Sequence, residues 1–227
     1  MNIETQSCVI TGKKQVSVAP QQVKWDGTGT LVRITRGGIC GSDLHYYQEG
    51  KVGSFEVKMP MILGHEVIGH VVESDNPDLK PNQKVAVNPS KPCGECKYCQ
   101  RDQENQCTSM RFFGSAMYVP HVDGGFTQYK VVDSKQCVPF PQDADETVMV
   151  FAEPLAVCIH ATHQAGDLTG KHVFISGVGP IGCLIAAAAK ARGAASVVCS
   201  DISERSLEMA QQMGATDVIH AAEGDFT

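Results

Sequence analysis

The stretch VFISGVGPIG, residues 173–182, decides the fold of this 227-residue chain. Its apolar run leads into Gly177, Gly179 and Gly182, which have the G-x-G-x-x-G spacing of a strand that turns into a helix around a dinucleotide pyrophosphate. The next apolar run, VVCSD, ends on Asp201, 19 residues after Gly182, where an acid would meet an adenosine ribose. Together the two signals predict a nucleotide-binding unit rather than a bare strand-to-helix corner.

The acid at position 201 bears on the choice of cofactor. A carboxylate there accepts hydrogen bonds from the ribose 2′-hydroxyl and repels a 2′-phosphate, which favours NAD over NADP. Arg205 lies four residues later and would soften that preference, so NADP stays open. The predicted cofactor-binding residues are Gly177, Gly179, Pro180, Ile181, Gly182, Asp201 and Arg205.

The pattern around the glycines is strand, helix, strand, helix, strand. We expect strands at residues 172–176, 196–200 and 217–219 and helices at residues 180–192 and 203–213, with Ser203 as a helix N-cap and with Gly193 and Gly214 ending helices. This is one βαβαβ half of a Rossmann domain. A second half needs roughly 90 residues at ~30 per βαβ unit, so we expect the chain to be a fragment or a truncated gene product.

The residues before the glycines have a different pattern of apolar and turn-forming residues. Short alternating segments broken by Gly, Pro, Asn and Asp predict an antiparallel β-domain, with strands at residues 31–36, 66–73, 84–87 and 126–132. From residue 143 onward the spacing of apolar residues becomes helical. The fold class is therefore α/β, with a β-domain over residues 1–150 and a nucleotide-binding domain over residues 151–227.

Composition and charge exclude several functions. The net charge of −6 and the pI near 5.7 provide no basic surface for nucleic acid. The N-terminus has no basic segment followed by an apolar one, which predicts a cytoplasmic protein. The longest apolar segment, residues 173–189, contains a proline and three glycines and suits a strand and a core helix better than a membrane span.

Four of the ten cysteines crowd one loop in the pattern C-x2-C-x2-C-x7-C. Four thiolates at this spacing can surround a tetrahedral zinc ion and leave no open coordination position, so the predicted site is structural. Disulfides and a redox C-x-x-C are weaker alternatives, and an iron–sulfur cluster also uses four thiolates. The predicted ligands are Cys93, Cys96, Cys99 and Cys107.

A second group of potential metal ligands comes from three separate segments. The first segment, GGICGSDLHYY, places Cys40, Ser42, Asp43 and His45 in a predicted turn after the 31–36 strand. The second, ILGHEVIGHV, places His65 and Glu66 at the start of the next strand. The third, AEPLAV, places Glu153 at the start of a helix. Taken singly, each residue has an ordinary structural explanation. Together they supply sulfur, nitrogen and oxygen ligands and leave a position for water or substrate, which is a catalytic zinc pattern.

These motifs, in this order, resemble the zinc-dependent medium-chain dehydrogenase family and its polyol branch in particular. The resemblance covers essentially the whole chain and implies a GroES-like N-terminal domain. It also implies Cys40, His65 and Glu153 as catalytic zinc ligands, with Glu66 as a neighbour that can approach the metal. Ser42 and His45 match the family's proton relay and Asp43 matches its outer partner, while Tyr46 matches a position that lines the polyol pocket.

The resemblance further implies an activity. It predicts hydride transfer between NAD(P) and a small polyol or sugar acid, two zinc ions per chain, and a homo-oligomer for the intact protein. Arg111 is either a contact for a substrate carboxylate or a solvated surface arginine. The alternatives are a zinc-stabilised fragment without turnover and a zinc-free quinone reductase, and the second is disfavoured because such proteins lack the combined Cys40, His65 and Glu153.

Overall fold

The computed structural model describes residues 1–223, and the chain divides into two compact units, Met1–Glu153 and Pro154–Thr227. The strands of the first unit are β1 Asn2–Gly12, β2 Gln15–Lys24, β3 Thr30–Gly38, β4 Lys51–Val52, β5 Phe55–Glu56, β6 Met61–Ile62, β7 Glu66–Ser74, β8 Lys84–Val87, β9 Ser90–Lys91, β10 Arg111–Phe112, β11 Tyr129–Val132 and β12 Cys137–Pro139. Its helices are α1 Gly41–Glu49 and α2 Glu146–Met149, and α3 Ala152–Gln164 begins at its end. The second unit adds β13 His172–Ser176, α4 Pro180–Ala191, β14 Ser196–Asp201, α5 Glu204–Gln212 and β15 Asp217–His220.

The first unit is built around an antiparallel five-stranded sheet in the order β11-β3-β7-β8-β12. β-Branched side chains fill its core, among them Val32, Val71 and Val85, each no more than 1% exposed. Burying a valine side chain of this kind stabilises the fold by roughly 1.5–3 kcal/mol. A second sheet, β2-β1-β6, lies beside it in the same unit. The predicted antiparallel β-domain is therefore confirmed.

One predicted turn in this unit is a helix. The segment after Cys40 forms α1, and Cys40 is its N-cap. The Asp43 carboxylate accepts a hydrogen bond from the Cys40 N–H, and the Cys40 side chain accepts one from the Asp43 N–H, which completes a capping box. Gly50 ends the helix with a left-handed φ of 75°. The prediction of a turn was wrong because cysteine is not among the residues favoured at an N-cap.

Two other predicted elements differ in their limits. The strand expected from residue 126 begins at Tyr129, since Thr127 makes only an isolated bridge to Ser7. The helical stretch expected from residue 143 is divided into α2 and α3 by Val150 and Phe151. Helix α2 has a capping Asp145 and no buried residue, so it has no apolar face of its own.

The second unit has a parallel sheet in the order β13-β14-β15 with α4 and α5 as connections. Ser203 caps α5 by accepting a hydrogen bond from the Ser206 N–H, and Gly193 and Gly214 follow the helix ends with positive φ. The βαβαβ prediction is confirmed nearly residue by residue. Within residues 1–223, no helix has both the length and the apolar character needed to cross a membrane.

Candidate metal and nucleotide sites

The first candidate site is a cluster of three possible metal ligands, Cys40, His65 and Glu66. One potential ligand atom from each lies within 4.8 Å of the others. Cys40 follows the end of β3, and Glu66 begins β7, which pairs with that end of β3 at Gly38. A thiolate, an imidazole and a carboxylate at this spacing form a donor set suited to Zn²⁺ with an open position.

Asp43 joins the two segments that carry this cluster. Its carboxylate is only 3% exposed and accepts hydrogen bonds from the N–H of Cys40 at 3.0 Å and from the N–H of Gly64 at 3.0 Å. These two N–H groups belong to one candidate ligand and to the residue before the other. Asp43 therefore fixes the spacing between Cys40 and His65 through the backbone.

The pKa shifts in the cluster differ among its three candidate ligands. A hydrogen bond with His65, together with hydrogen bonds from Ser42, holds the pKa of the Cys40 thiol below its usual value despite partial burial. For His65 burial favours the neutral ring, but contact with Cys40 and the charges of Asp43 and Glu153 raise its pKa overall. Burial raises the pKa of Glu66. The group thus brings an activated sulfur ligand together with a nitrogen and an oxygen ligand.

Glu153 lies close to this cluster without being part of it. It sits in the first turn of α3, before Pro154, where a proline costs no helix hydrogen bond. Burial raises its pKa, and the charges of His65 and Glu66 also act on it. The structure therefore places Glu66, the residue predicted as a neighbour, among the clustered ligand atoms, and Glu153 beside them.

The predicted proton-relay residues both lie on α1. Ser42 directs its N–H and its hydroxyl to the Cys40 sulfur. His45 is exposed one turn further along, with Nδ1 3.3 Å from Glu49 Oε1. The hydrogen bonds described over residues 1–223 do not include one between Ser42 and His45.

The four-cysteine loop forms the second candidate metal site. Three pairs of sulfur atoms, Cys93–Cys99, Cys96–Cys99 and Cys107–Cys93, are 4.0, 3.6 and 3.5 Å apart, and all four lie within 4.8 Å of one another. A tetrahedral zinc with Zn–S bonds of ~2.3 Å would place its sulfurs at about this separation. Disulfide sulfurs would be ~2.05 Å apart, so the disulfide alternative is wrong for this loop. An iron–sulfur cluster encloses several metal atoms and would need a wider spacing.

Backbone N–H groups support thiolates in this loop. Cys107 Sγ accepts hydrogen bonds from the N–H of Cys93 at 3.2 Å and of Ser109 at 3.4 Å, and these bonds lower its pKa. Hydrogen bonds from the backbone of Cys99 and Thr108 lower the pKa of Cys96 to about 5. Burial instead raises the pKa of Cys99 to about 12, so the thiolate character of the loop is concentrated on Cys96 and Cys107.

The glycine-rich turn of the second unit has the geometry of a nucleotide loop. Gly177 has a φ of +83°, and Gly179 is the N-cap of α4, with Pro180 in the first helical turn. A Cβ added at Gly182 would lie 2.1 Å from the Gly177 carbonyl oxygen, so only glycine fits there without a shift. Ile181 is exposed at the start of the helix. The predicted strand–loop–helix context of the fingerprint is thus present.

Asp201 contacts this loop, whereas Arg205 lies on α5. The Asp201 carboxylate accepts hydrogen bonds from the N–H of Val178 at 2.8 Å and of Ser203 at 2.9 Å. Arg205 is exposed in the first turns of α5. Asp201 therefore ties the glycine loop to the end of β14 in addition to its predicted place beside a ribose.

Comparison with known proteins identifies the family. Residues 26–142 match the model of the alcohol dehydrogenase GroES-like domain, and residues 180–227 match that of the zinc-binding dehydrogenase domain. The chain belongs to the zinc-dependent medium-chain alcohol dehydrogenase family. The predicted family, the GroES-like domain and the Rossmann-type domain are therefore confirmed.

Within this family of alcohol dehydrogenases the chain has relatives that act on sugar derivatives. It is 65% identical over 226 residues to L-idonate 5-dehydrogenase (NAD(P)(+)) of Escherichia coli K12. That alignment covers 100% of this chain and 66% of the relative. It is 37% identical to sorbitol dehydrogenase of Bacillus subtilis 168, over 86% of this chain and 55% of that protein. The chain thus spans 66% of the length of the first relative and 55% of the length of the second.

Solved structures of alcohol dehydrogenase family members agree with the fold. The crystal structure of the Escherichia coli L-idonate 5-dehydrogenase superposes with a TM-score of 0.98, over 100% of this chain and 65% of that one. A zinc-binding dehydrogenase from Sinorhizobium meliloti bound to NADP superposes with a TM-score of 0.88 at 31% identity, over 98% of this chain and 64% of that one.

Several site neighbours were missed or misplaced from the sequence. Phe112 packs its ring 5.3 Å from that of His65, and no motif predicted this contact. Tyr46, expected in a pocket, is 3% exposed, and its hydroxyl accepts a hydrogen bond from the Ala116 N–H in the core. Arg111 stacks on the Tyr118 ring at 4.2 Å.

Proposed function

We propose that this chain belongs to an L-idonate 5-dehydrogenase, which transfers a hydride between C5 of L-idonate and NAD(P) and yields 5-keto-D-gluconate. The observation that carries the proposal is the cluster of Cys40, His65 and Glu66, with Glu153 beside it, in a chain 65% identical throughout to that enzyme of Escherichia coli. Because the chain spans 66% of that relative, the activity is proposed for the whole protein. A sorbitol- or xylitol-type polyol dehydrogenase is the second candidate, supported by the sorbitol dehydrogenase relative.

The ligand assignment follows from the donor chemistry. Cys40, His65 and Glu153 would hold a catalytic zinc, with Glu66 able to approach it, and Cys93, Cys96, Cys99 and Cys107 would hold a structural zinc. One thiolate, one carboxylate and a neutral imidazole balance the charge of Zn²⁺. A zinc ion bound there supplies a Lewis acid that makes the substrate hydroxyl more acidic.

Residues of α1 would handle the proton of that hydroxyl. The Ser42 hydroxyl, which is directed at the Cys40 sulfur, accepts the proton and passes it toward His45. His45 is exposed, so the proton can leave to solvent. A hydroxyl and an imidazole suit this relay because each can both accept and donate a hydrogen.

The second unit would bind the cofactor. The loop of Gly177, Gly179 and Gly182 leaves the N-terminus of α4 open to a pyrophosphate, and Pro180 removes an N–H that would otherwise lack a partner. Asp201 favours NAD by its charge, and Arg205 is exposed nearby in sequence, where it can offset that charge toward NADP. The cofactor carries the redox step and the protein supplies its orientation.

The setting of the protein follows from the same family. We infer a cytoplasmic enzyme for a small sugar acid or polyol, without nucleic-acid or membrane partners. The whole protein would be a homo-oligomer, as the family resemblance predicts.

The test is NADH oxidation by the zinc-loaded protein when it is offered 5-keto-D-gluconate and, separately, fructose. Consumption with ketogluconate alone supports the idonate assignment, and equal consumption with fructose favours the polyol alternative. No consumption with either substrate by the whole protein, while two zinc ions remain bound per subunit, would contradict the proposed activity.

Variants of two serines show whether the turnover belongs to this site. Ser42→Ala should lower kcat ~10²-fold or more, because it removes the proton acceptor. Ser54→Ala removes an exposed serine of the β4–β5 turn and should leave the rate unchanged. Equal rates for the two variants would contradict the role of Ser42.

A further inference from the structure

A second polar network lies on the five-stranded sheet, outside the metal and nucleotide sites. It joins Arg33 of β3, His70 of β7, Lys84 of β8 and Glu146 of α2. Arg33 Nη2 lies 3.0 Å from His70 Nδ1, His70 Nε2 lies 2.8 Å from Glu146 Oε1, and Lys84 Nζ lies 3.6 Å from the same oxygen. Side chains of β7 and β8 thus contact the Glu146 carboxylate of α2, and Arg33 of β3 contacts the histidine.

The bonding of His70 in this network has a fixed direction. A guanidinium can only donate hydrogen bonds, so His70 Nδ1 accepts from Arg33 and the ring hydrogen lies on Nε2. Nε2–H therefore donates to the Glu146 carboxylate. Glu146 is held by an oriented hydrogen bond as well as by charge.

Apart from Arg33, which is exposed, the network is largely shielded from water. The side chains of His70, Glu146 and Lys84 are 20%, 16% and 15% exposed. Removing one member of such a group leaves a poorly solvated partner, which is costly. Lys84 Nζ also donates a hydrogen bond to the Ala144 carbonyl oxygen at 3.0 Å. The network therefore bonds to the residues on both sides of Asp145, Ala144 through its backbone and Glu146 through its side chain.

The segment that this network contacts, residues 144–151, has few other stabilising contacts. Helix α2 is a single turn without a buried residue, and a helix this short does not form on its own. The nearby side chains of Val148 and Phe151 are 63% and 50% exposed. Met149 and Val150 are only half-buried, so the polar network supplies much of the anchoring of this segment.

The segment leads directly to a candidate metal ligand. Glu153 follows Glu146 by seven residues, and it lies near enough for the charges of His65 and Glu66 to act on it. It is nevertheless outside the group of ligand atoms within 4.8 Å. A displacement of residues 146–152 would therefore change the distance from the Glu153 carboxylate to Cys40 and His65.

We propose that His70 and Glu146, supported by Lys84, form a positioning network that sets where Glu153 stands relative to Cys40 and His65 and so tunes the affinity and coordination of the catalytic metal. The inference rests on the metal site of the proposed function. The three residues act through the backbone and touch neither metal nor substrate.

The test compares metal binding in His70→Leu, Glu146→Gln and His70→Gln, using the 227-residue chain. His70→Leu and Glu146→Gln should weaken zinc at the Cys40 site ~10-fold or more, as loss of an outer partner of a metal ligand does, and should shift the visible bands of the cobalt(II)-substituted site. His70→Gln keeps a donor and an acceptor on one side chain and should retain most of the affinity. Cys40→Ala identifies which zinc and which cobalt bands belong to this site.

A matched control comes from a second network on the same strands. The Thr30 hydroxyl lies 2.7 Å from the hydroxyls of Ser74 and Ser134, which links β3 and β7 to a segment distant from Glu153 in sequence. Ser74→Ala should lower Tm and leave zinc affinity and cobalt bands unchanged.

Two results would overturn the proposal in distinguishable ways. If His70→Leu and Glu146→Gln lower Tm like Ser74→Ala without moving zinc affinity or cobalt bands, the network is only structural and the proposed metal site still stands. If Cys40→Ala also leaves zinc content and cobalt bands unchanged, the metal site is wrong and the network has no role in it. Should His70→Leu fail to fold, the comparison of Glu146→Gln with His70→Gln decides.

Discussion

The N–H of Val178 donates a hydrogen bond to Asp201 Oδ2 across 2.8 Å, so the acid at the end of β14 holds the middle of the glycine-rich loop. Its other oxygen accepts from the Ser203 N–H at the start of α5. These hydrogen bonds keep the pKa of Asp201 below its usual value, and the carboxylate stays ionised at neutral pH. One side chain thus shapes the loop and places a negative charge where a ribose is expected.

Asp201→Ala and Asp201→Asn should separate these two roles. Alanine leaves two N–H groups without their acceptor and should lower the free energy of unfolding measured in urea. Asparagine keeps an acceptor oxygen, so it should cost less, and it removes the charge that repels a 2′-phosphate. Titration of nucleotide fluorescence should then show a gain for NADPH relative to NADH. Asp217→Asn, at an exposed acid of β15, is the control, and an equal change in preference there would refute the assignment.

Alanine substitutions at Gly182 and Gly179 should affect different properties, stability in the first case and NADH binding in the second. A Cβ at Gly182 would lie 2.1 Å from the Gly177 carbonyl oxygen, so Gly182→Ala must move the loop and should destabilise the chain by ~1–3 kcal/mol. A Cβ at Gly179 meets nothing within 4 Å, so Gly179→Ala should leave stability within ~0.5 kcal/mol. It should still weaken NADH binding, because the backbone there approaches the pyrophosphate. Thermal unfolding and NADH titration check both, and similar melting temperatures for the two variants would contradict the prediction.

The second unit was predictable because its signals are local. Ser203 and the glycines at 177, 193 and 214 each fix a turn or a helix end within a few residues of themselves. Helix α1 was missed because only Asp43 and Tyr46 of its residues are buried, which leaves no clear apolar period. The ends of a helix or strand can thus be predicted from sequence only where they contain a residue with a strong conformational preference.

The candidate metal site was predictable in its residue types but not in its arrangement. Motifs nominated Cys40, His65, Glu66 and Glu153, but which carboxylate lies among the other ligands depends on tertiary contacts. One such contact is the bond from the Gly64 N–H to Asp43, 21 residues away in sequence. Another is the link between His70 and Glu146, which are 76 residues apart. Long-range hydrogen bonds of this kind leave no periodic trace in a sequence.

Zinc content should separate the two proposed metal sites. Cys107→Ala removes a sulfur that lies 3.5 Å from Cys93 Sγ, so zinc should fall from two ions per chain to one and Tm should fall as well, because the lobe is organised by its metal. Cys40→Ala should also lose one zinc, with a smaller fall in Tm. Cys137→Ala, at a buried thiol of the core, is the control and should lower Tm while two zinc ions remain. Metal analysis that finds two ions in Cys107→Ala would remove the basis for the structural site.

The last prediction concerns the acid stability that Glu146 provides. The hydrogen bond from His70 lowers the pKa of Glu146 to about 2 from the usual 4.5. Because the folded value is the lower one, the stabilisation is complete above pH 4.5 and is lost as the pH falls from there toward 2. Glu146→Gln should therefore destabilise the chain by up to about 3 kcal/mol at pH 7, and the difference from the unmodified chain should shrink steadily below pH 4.5.

Urea unfolding at pH values from 7 to 3 measures this difference. Ser74→Ala removes no titrating group, so its effect should be the same at every pH. A Glu146→Gln difference that does not change over this range would mean that the bond between His70 and Glu146 does not hold the ionised acid.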